Sequence, residues 1–171
     1  AQSAVVAAEA GSVGGVVARI SSPLILFAAN QRLTPAQALQ ALAWLGPAVF
    51  ASGVALCGEL DSQDLVLDAD GVLLLSPCGL NREDSLSRLP VHRAPEWSPG
   101  SSSGAAALYG LGAVLYRAVT GRSHLAAPNR GALDAARMAP VPALQANPDL
   151  PPALAEALDA LVSPDPTWRV Q

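Results

Sequence analysis

Apolar residues recur along this chain in two rhythms, one short and one long. The short one comes first: Ala4-Val5-Val6-Ala7-Ala8 and Val16-Val17-Ala18-Arg19-Ile20 are β-prone runs separated by the glycine-rich stretch 11–15, and together they predict a hairpin. Ser21-Ser22-Pro23 then breaks the chain before a short helix over 24–30, with Ser22 and Pro23 suited to its cap and first turn. Thr34-Pro35 opens a long apolar helix in the same way, and positions 38–58 carry no charge. That span has about the length a bilayer crossing needs. Gly46-Pro47 in its middle, its Ala and Gly content and the lack of nearby basic anchors make it a buried helix instead.

The short rhythm returns at Leu65-Val66-Leu67 and Val72-Leu73-Leu74-Leu75, which flank Asp68-Ala69-Asp70-Gly71 and predict a second hairpin. Residues 76–104 are rich in Pro, Ser, Gly and Arg and form a long irregular segment, which in a compact domain usually has a purpose. Positions 105–120 are apolar nearly all round and predict a central buried helix ended by Gly121. A weaker helix is expected over 133–138. Pro152 opens the last one, 152–162, whose Leu154, Leu158, Leu161 and Val162 share one stripe. The fold class this pattern predicts is mainly α with two small β-hairpins.

Composition narrows the function classes. A length of 171 residues suits one domain with a sizeable core, and 51% hydrophobic against 14% charged residues excludes a disordered chain. The net charge of -4 leaves no electrostatic footprint for nucleic acid. All basic residues are Arg, so these positions hold no lysine to act as phosphate clamp, Schiff-base amine or general base. Cys57 and Cys78 are too few for a secreted disulfide scaffold and lack zinc-ligand spacing, which points to a reducing, cytoplasmic location. The start at Ala1-Gln2-Ser3, without Met, is expected of a piece of a longer product, through which the chain could be attached to a membrane protein. Glu59, Asp61, Asp64, Asp68 and Asp70 are acidic neighbours, but turns favour Asp and the spacing matches no calcium loop, so no metal and no cofactor is expected.

Particular runs add a resemblance. Cys57-Gly58-Glu59-Leu60-Asp61-Ser62-Gln63-Asp64-Leu65-Val66-Leu67, followed by 71–80, resembles the catalytic loop and metal-binding turn of protein Ser/Thr kinases of bacterial type. Ala94-Pro95-Glu96 coincides with that family's Ala-Pro-Glu motif, and Leu108-Tyr109-Gly110-Leu111-Gly112-Ala113-Val114-Leu115-Tyr116 looks like its central helix. Asn147-Pro148-Asp149-Leu150-Pro151 and Asp165-Pro166-Thr167-Trp168-Arg169 resemble the segments around its penultimate helix. The resemblance implies a kinase large-lobe-like helical domain over 21–171, a remnant small-lobe hairpin over 1–20, and a small lobe that is otherwise missing.

Departures from the family decide the chemistry that the resemblance implies. Cys57-Gly58-Glu59 stands for His-Arg-Asp, Asp61 for the loop lysine and Asp64 for the metal-binding Asn. Pro77-Cys78-Gly79 stands for Asp-Phe-Gly, and a proline side chain cannot hold magnesium. Ala107 takes the place of the aspartate that supports the catalytic loop. Phosphoryl transfer rests on positioning and charge neutralisation, so these positions are degenerate and no ATP binding is expected. Cys57 and Cys78 are expected as neighbouring small hydrophobes in preference to a disulfide, and neither His92 nor His124 maps near them to activate a thiol. Glu96 and Arg169 are implied to form a buried ion pair that clamps the long loop to the helical part.

The function expected is therefore a catalytically inactive pseudokinase-like scaffold that binds a protein partner or a second copy of itself. The alternative is a nucleotide-binding or weakly active kinase-like protein that needs a missing small lobe.

Overall fold

The computed structural model describes residues 17–19, 32–52, 65–67, 72–75, 91–98 and 103–170. Within 32–170 the long elements are helical: α1 (Pro35–Ser52), α2 (Gly104–Thr120), α3 (Leu133–Met138), α4 (Ala143–Ala146) and α5 (Pro152–Leu161). Short 3-10 turns precede α3 (Arg130–Ala132) and follow α5 (Pro166–Val170).

Local chemistry sets the helix ends. Thr34 and Gln37 form a reciprocal capping box at the start of α1: the Gln37 amide donates to Thr34 Oγ1 at 3.3 Å, and the Thr34 amide donates to Gln37 Oε1 at 2.9 Å. Pro47 lies inside α1, which continues through it to Ser52. Ser103 caps α2 by accepting from the Ala106 amide at 3.1 Å, and Gly121 ends it in the left-handed region at φ 73°, where its N–H bonds the Arg117 carbonyl. Pro152 begins α5 at a position where the missing amide costs nothing.

α2 is the axis of the core. From Ala106 to Thr120 only Arg117 is exposed, so its mixture of small and large apolar residues meets protein on every side. α1 packs on it through Ala38, Ala41, Leu45 and Val49, and α5 through Leu154, Leu158 and Leu161. Gly112 makes the α5 crossing close: a Cβ there would stand 2.5 Å from Leu161 Cβ. α4 has no side-chain cap of its own, and the Asp159 carboxylate on α5 accepts from the Ala143 amide at 2.8 Å instead.

The expected fold class is corrected at the strands. Among the described residues of 32–52 and 91–170 there is no strand. β1 (Val17–Arg19), β2 (Leu65–Leu67) and β3 (Val72–Leu75) share one antiparallel sheet in the order β1-β3-β2, with Ala18 opposite Leu73 and Val66 opposite Leu74. Two separate hairpins are thus not the arrangement. The physical reason is that pieces of three or four residues are marginal as isolated pairs, and β3 gains a partner on each side when β1 joins it. The expected helix over 24–30 and the run 4–8 lie outside the described residues.

Candidate functional site

The guanidinium of Arg169, on the 3-10 turn that follows α5, gathers the polar interior. Its side chain is fully buried, and each of its five N–H donors has an acceptor. Nη1 and Nη2 reach Glu96 Oε1 and Oε2 at 2.5 and 3.1 Å, a bidentate pair. The remaining donors meet the carbonyls of Ser163 (2.8 Å), Ala105 (3.2 Å) and Pro164 (3.1 Å). The face of the group stands 4.9 Å from the centre of the Tyr109 ring. One side chain thereby joins the turn 91–98, the first turn of α2 and the exit of α5.

Each partner of Arg169 is itself held. Glu96 projects from a tight turn closed by the Trp97 amide on the Ala94 carbonyl at 3.1 Å, and Arg93 stacks over the Trp97 ring at 4.0 Å. Asp165 caps the 3-10 turn by accepting from the Thr167 amide and hydroxyl, and those bonds, the amide first, hold its carboxyl below the usual range. The two ends of the ion pair differ in one respect from what the resemblance implies: Arg169 is buried, whereas the Glu96 side chain keeps 33% of its surface in solvent.

Next to the clamp lies a second polar group that sequence reasoning missed. His124 is 1% exposed, and its Nε2 is 2.8 Å from Tyr109 Oη. Tyr109 and Tyr116 both present ring edges to it, with centroids 5.4 and 5.8 Å away. Tyr116 Oη donates to the Val141 carbonyl at 2.8 Å, and the Val141 amide donates to the His124 carbonyl at 2.8 Å. Arg137, on α3, is buried nearby and donates to Asp134. Burial, helped by the positive charges of His92 and Arg137, depresses the His124 imidazole to about 3. The phenols of Tyr109 and Tyr116 are pushed up to about 12, chiefly by burial. The signal available in the sequence was the seven-residue spacing of Tyr109 and Tyr116, which puts both on one face of α2.

The structure therefore brings Glu96 and Arg169 together. Ala107 is wholly buried in α2, so the position carries a methyl group inside the core with no hydrogen-bonding atom on its side chain. Cys57, Gly58, Glu59, Asp61, Asp64, Pro77, Cys78 and Gly79 lie outside the described residues, as does the acidic cluster around them. Among the described residues, no three His, Cys, Asp or Glu side chains are grouped so that they could hold a metal ion. Nor is any described helix long and apolar enough to cross a membrane, and of the stretch 38–58 residues 38–52 belong to α1 while 53–58 lie outside the described residues.

Chemically, this arrangement fastens distant segments of one chain to each other. Arg169 has spent every donor on the chain itself and has none left for a phosphate. His124 is enclosed, and its ring nitrogen is bonded to Tyr109. No protein-family model matches the chain, and no curated protein does either.

Proposed function

We propose that the chain is a catalytically inactive, kinase-like interaction module, whose role is to present a rigid helical surface to a protein partner or to a second copy of itself. The observation that carries the reading is the Glu96–Arg169 clamp. It joins the Ala-Pro-Glu turn to the far end of the helical body, at the two places where the sequence resembles the kinase family. In the kinase resemblance Pro77 stands for the metal-holding aspartate and Ala107 for the aspartate that supports the catalytic loop, and no lysine occurs in the 171 residues. A fold that keeps its clamp and lacks its phosphate ligands is suited to holding a shape.

Partner binding also draws support from the surface. Leu39 and Phe50 on α1, Met138 and Leu144 on and after α3, and Trp168 and Val170 at the C-terminal turn are all exposed. Self-association is the form of the proposal that can be tested without knowing a partner. Light scattering coupled to size exclusion over a concentration series is expected to give a mass that rises above the 17.3 kDa of one chain. A constant monomer mass at every concentration, together with Mg-ATP binding, would favour the nucleotide-binding alternative.

A further inference from the structure

His124 occupies a place where two segments close on α2. Its carbonyl accepts from the Val141 amide, its ring Nε2 shares a hydrogen bond with the Tyr109 hydroxyl, and Tyr116 beside it donates to the Val141 carbonyl. The imidazole thus fastens the loop 121–127 to α2 through Tyr109, and the connector 139–142 is bonded to that loop through the His124 carbonyl and to α2 through Tyr116. We propose that His124 is a proton-operated latch, which pins these two segments to α2 as the neutral imidazole and releases them when it is protonated. This inference does not depend on the kinase-like reading.

The surroundings explain why the latch has a sign. On α2 the facing groups are the phenols of Tyr109 and Tyr116, which offer oxygen atoms but no negative charge in their neutral form. The turn 91–98 contributes His92, and α3 contributes Arg137, and both place positive charge near the ring. The carboxylates of this flank are engaged elsewhere: Asp134 with Arg137 at the surface, Glu96 with Arg169, and Asp159, which faces Tyr116, with the Ala143 amide. An imidazolium would add a charge and a second N–H donor to a site where, among the described residues, these carboxylates already have other partners.

In the unfolded or opened chain His124 titrates near 6.5, while in the closed form it stays neutral to about 3. The closed form therefore has its full advantage above pH 6.5, and that advantage is lost as pH falls below it. Each pH unit lost shifts the balance about tenfold toward the open form, until the closed-form value is reached.

Hydrogen exchange of the Val141 amide, corrected for the intrinsic pH dependence, reads this opening directly. In the wild-type chain protection is expected to fall about tenfold per unit between about pH 6 and 5. In His124→Gln that slope is expected to vanish, and in His92→Gln to remain. Equal slopes in wild type and His124→Gln would overturn the latch. Should His124→Gln fail to fold, NMR titration of the His124 ring in the native wild-type protein decides: a ring still neutral at about pH 5 supports the proposal, and a midpoint near the ordinary histidine value overturns it.

Discussion

At the scale of single residues, the Glu96–Arg169 pair is unequal, and mutation should reveal it. Truncating Arg169 leaves the Glu96 carboxylate and three backbone carbonyls without their donor in a buried space. Arg169→Ala is therefore expected to cost about 3 to 5 kcal/mol in a urea titration. Glu96→Gln leaves the wholly buried guanidinium without its counter-charge, but Arg169 keeps its bonds to Ser163, Ala105 and Pro164 and an amide oxygen at position 96, so the expected cost is smaller, about 2 to 3 kcal/mol. Equal losses for the two variants would mean that the ion pair, and not the guanidinium's whole set of bonds, holds the clamp. The pairing could be anticipated only through the resemblance, because 73 positions separate the two residues and no local pattern links them. His124 was harder still. A lone histidine after a glycine reads as a loop residue, and its burial comes from tyrosines fifteen and eight positions back that only the folded helix brings to it.

At the scale of elements, what could be read from the sequence follows the local signals. Thr34-Pro35, Gly121 and Pro152 act within one turn of where they stand, and α1, α2 and α5 begin or end at them. α4 has no such signal. Its first amide is satisfied by Asp159, sixteen positions away, so tertiary contact alone defines it. The two-hairpin arrangement failed for a related reason: a β-prone run shows that a strand is favoured, but which strand it pairs with depends on long-range contacts, and β1 joins β3. Two glycines test the helix packing. Gly112→Ala would push a methyl group into Leu161, and calorimetric melting is expected to show a loss of about 1 to 3 kcal/mol as α2 and α5 separate. At Gly46 in α1 the nearest atom is an ordinary 3.7 Å away, and Gly46→Ala is expected to stabilise by about 0.5 to 1 kcal/mol through helix propensity. Matching effects at the two sites would contradict the close α2–α5 crossing.

At the scale of the whole molecule, the two tyrosines of the chain both lie in the core, so the tyrosinate band at alkaline pH reports on the fold itself. Both phenols titrate at about 12 when folded and near 10 when free. Their contribution to stability is complete below pH 10 and is lost as pH rises toward 12. Tyrosinate absorbance is expected to appear only together with the loss of helical circular dichroism, and absorbance that rises near pH 10 in a still helical protein would show the rings to be accessible. The larger claim concerns what the molecule is for. A helical body fastened by an arginine with no donor to spare, in a chain with Pro77 and Ala107 at positions where the kinase resemblance implies aspartates, is proposed to bind proteins and not nucleotides. Calorimetric titration of the intact chain with Mg-ATP tests this most directly. The account predicts no saturable heat up to about millimolar nucleotide. A stoichiometric isotherm with a micromolar Kd would contradict it.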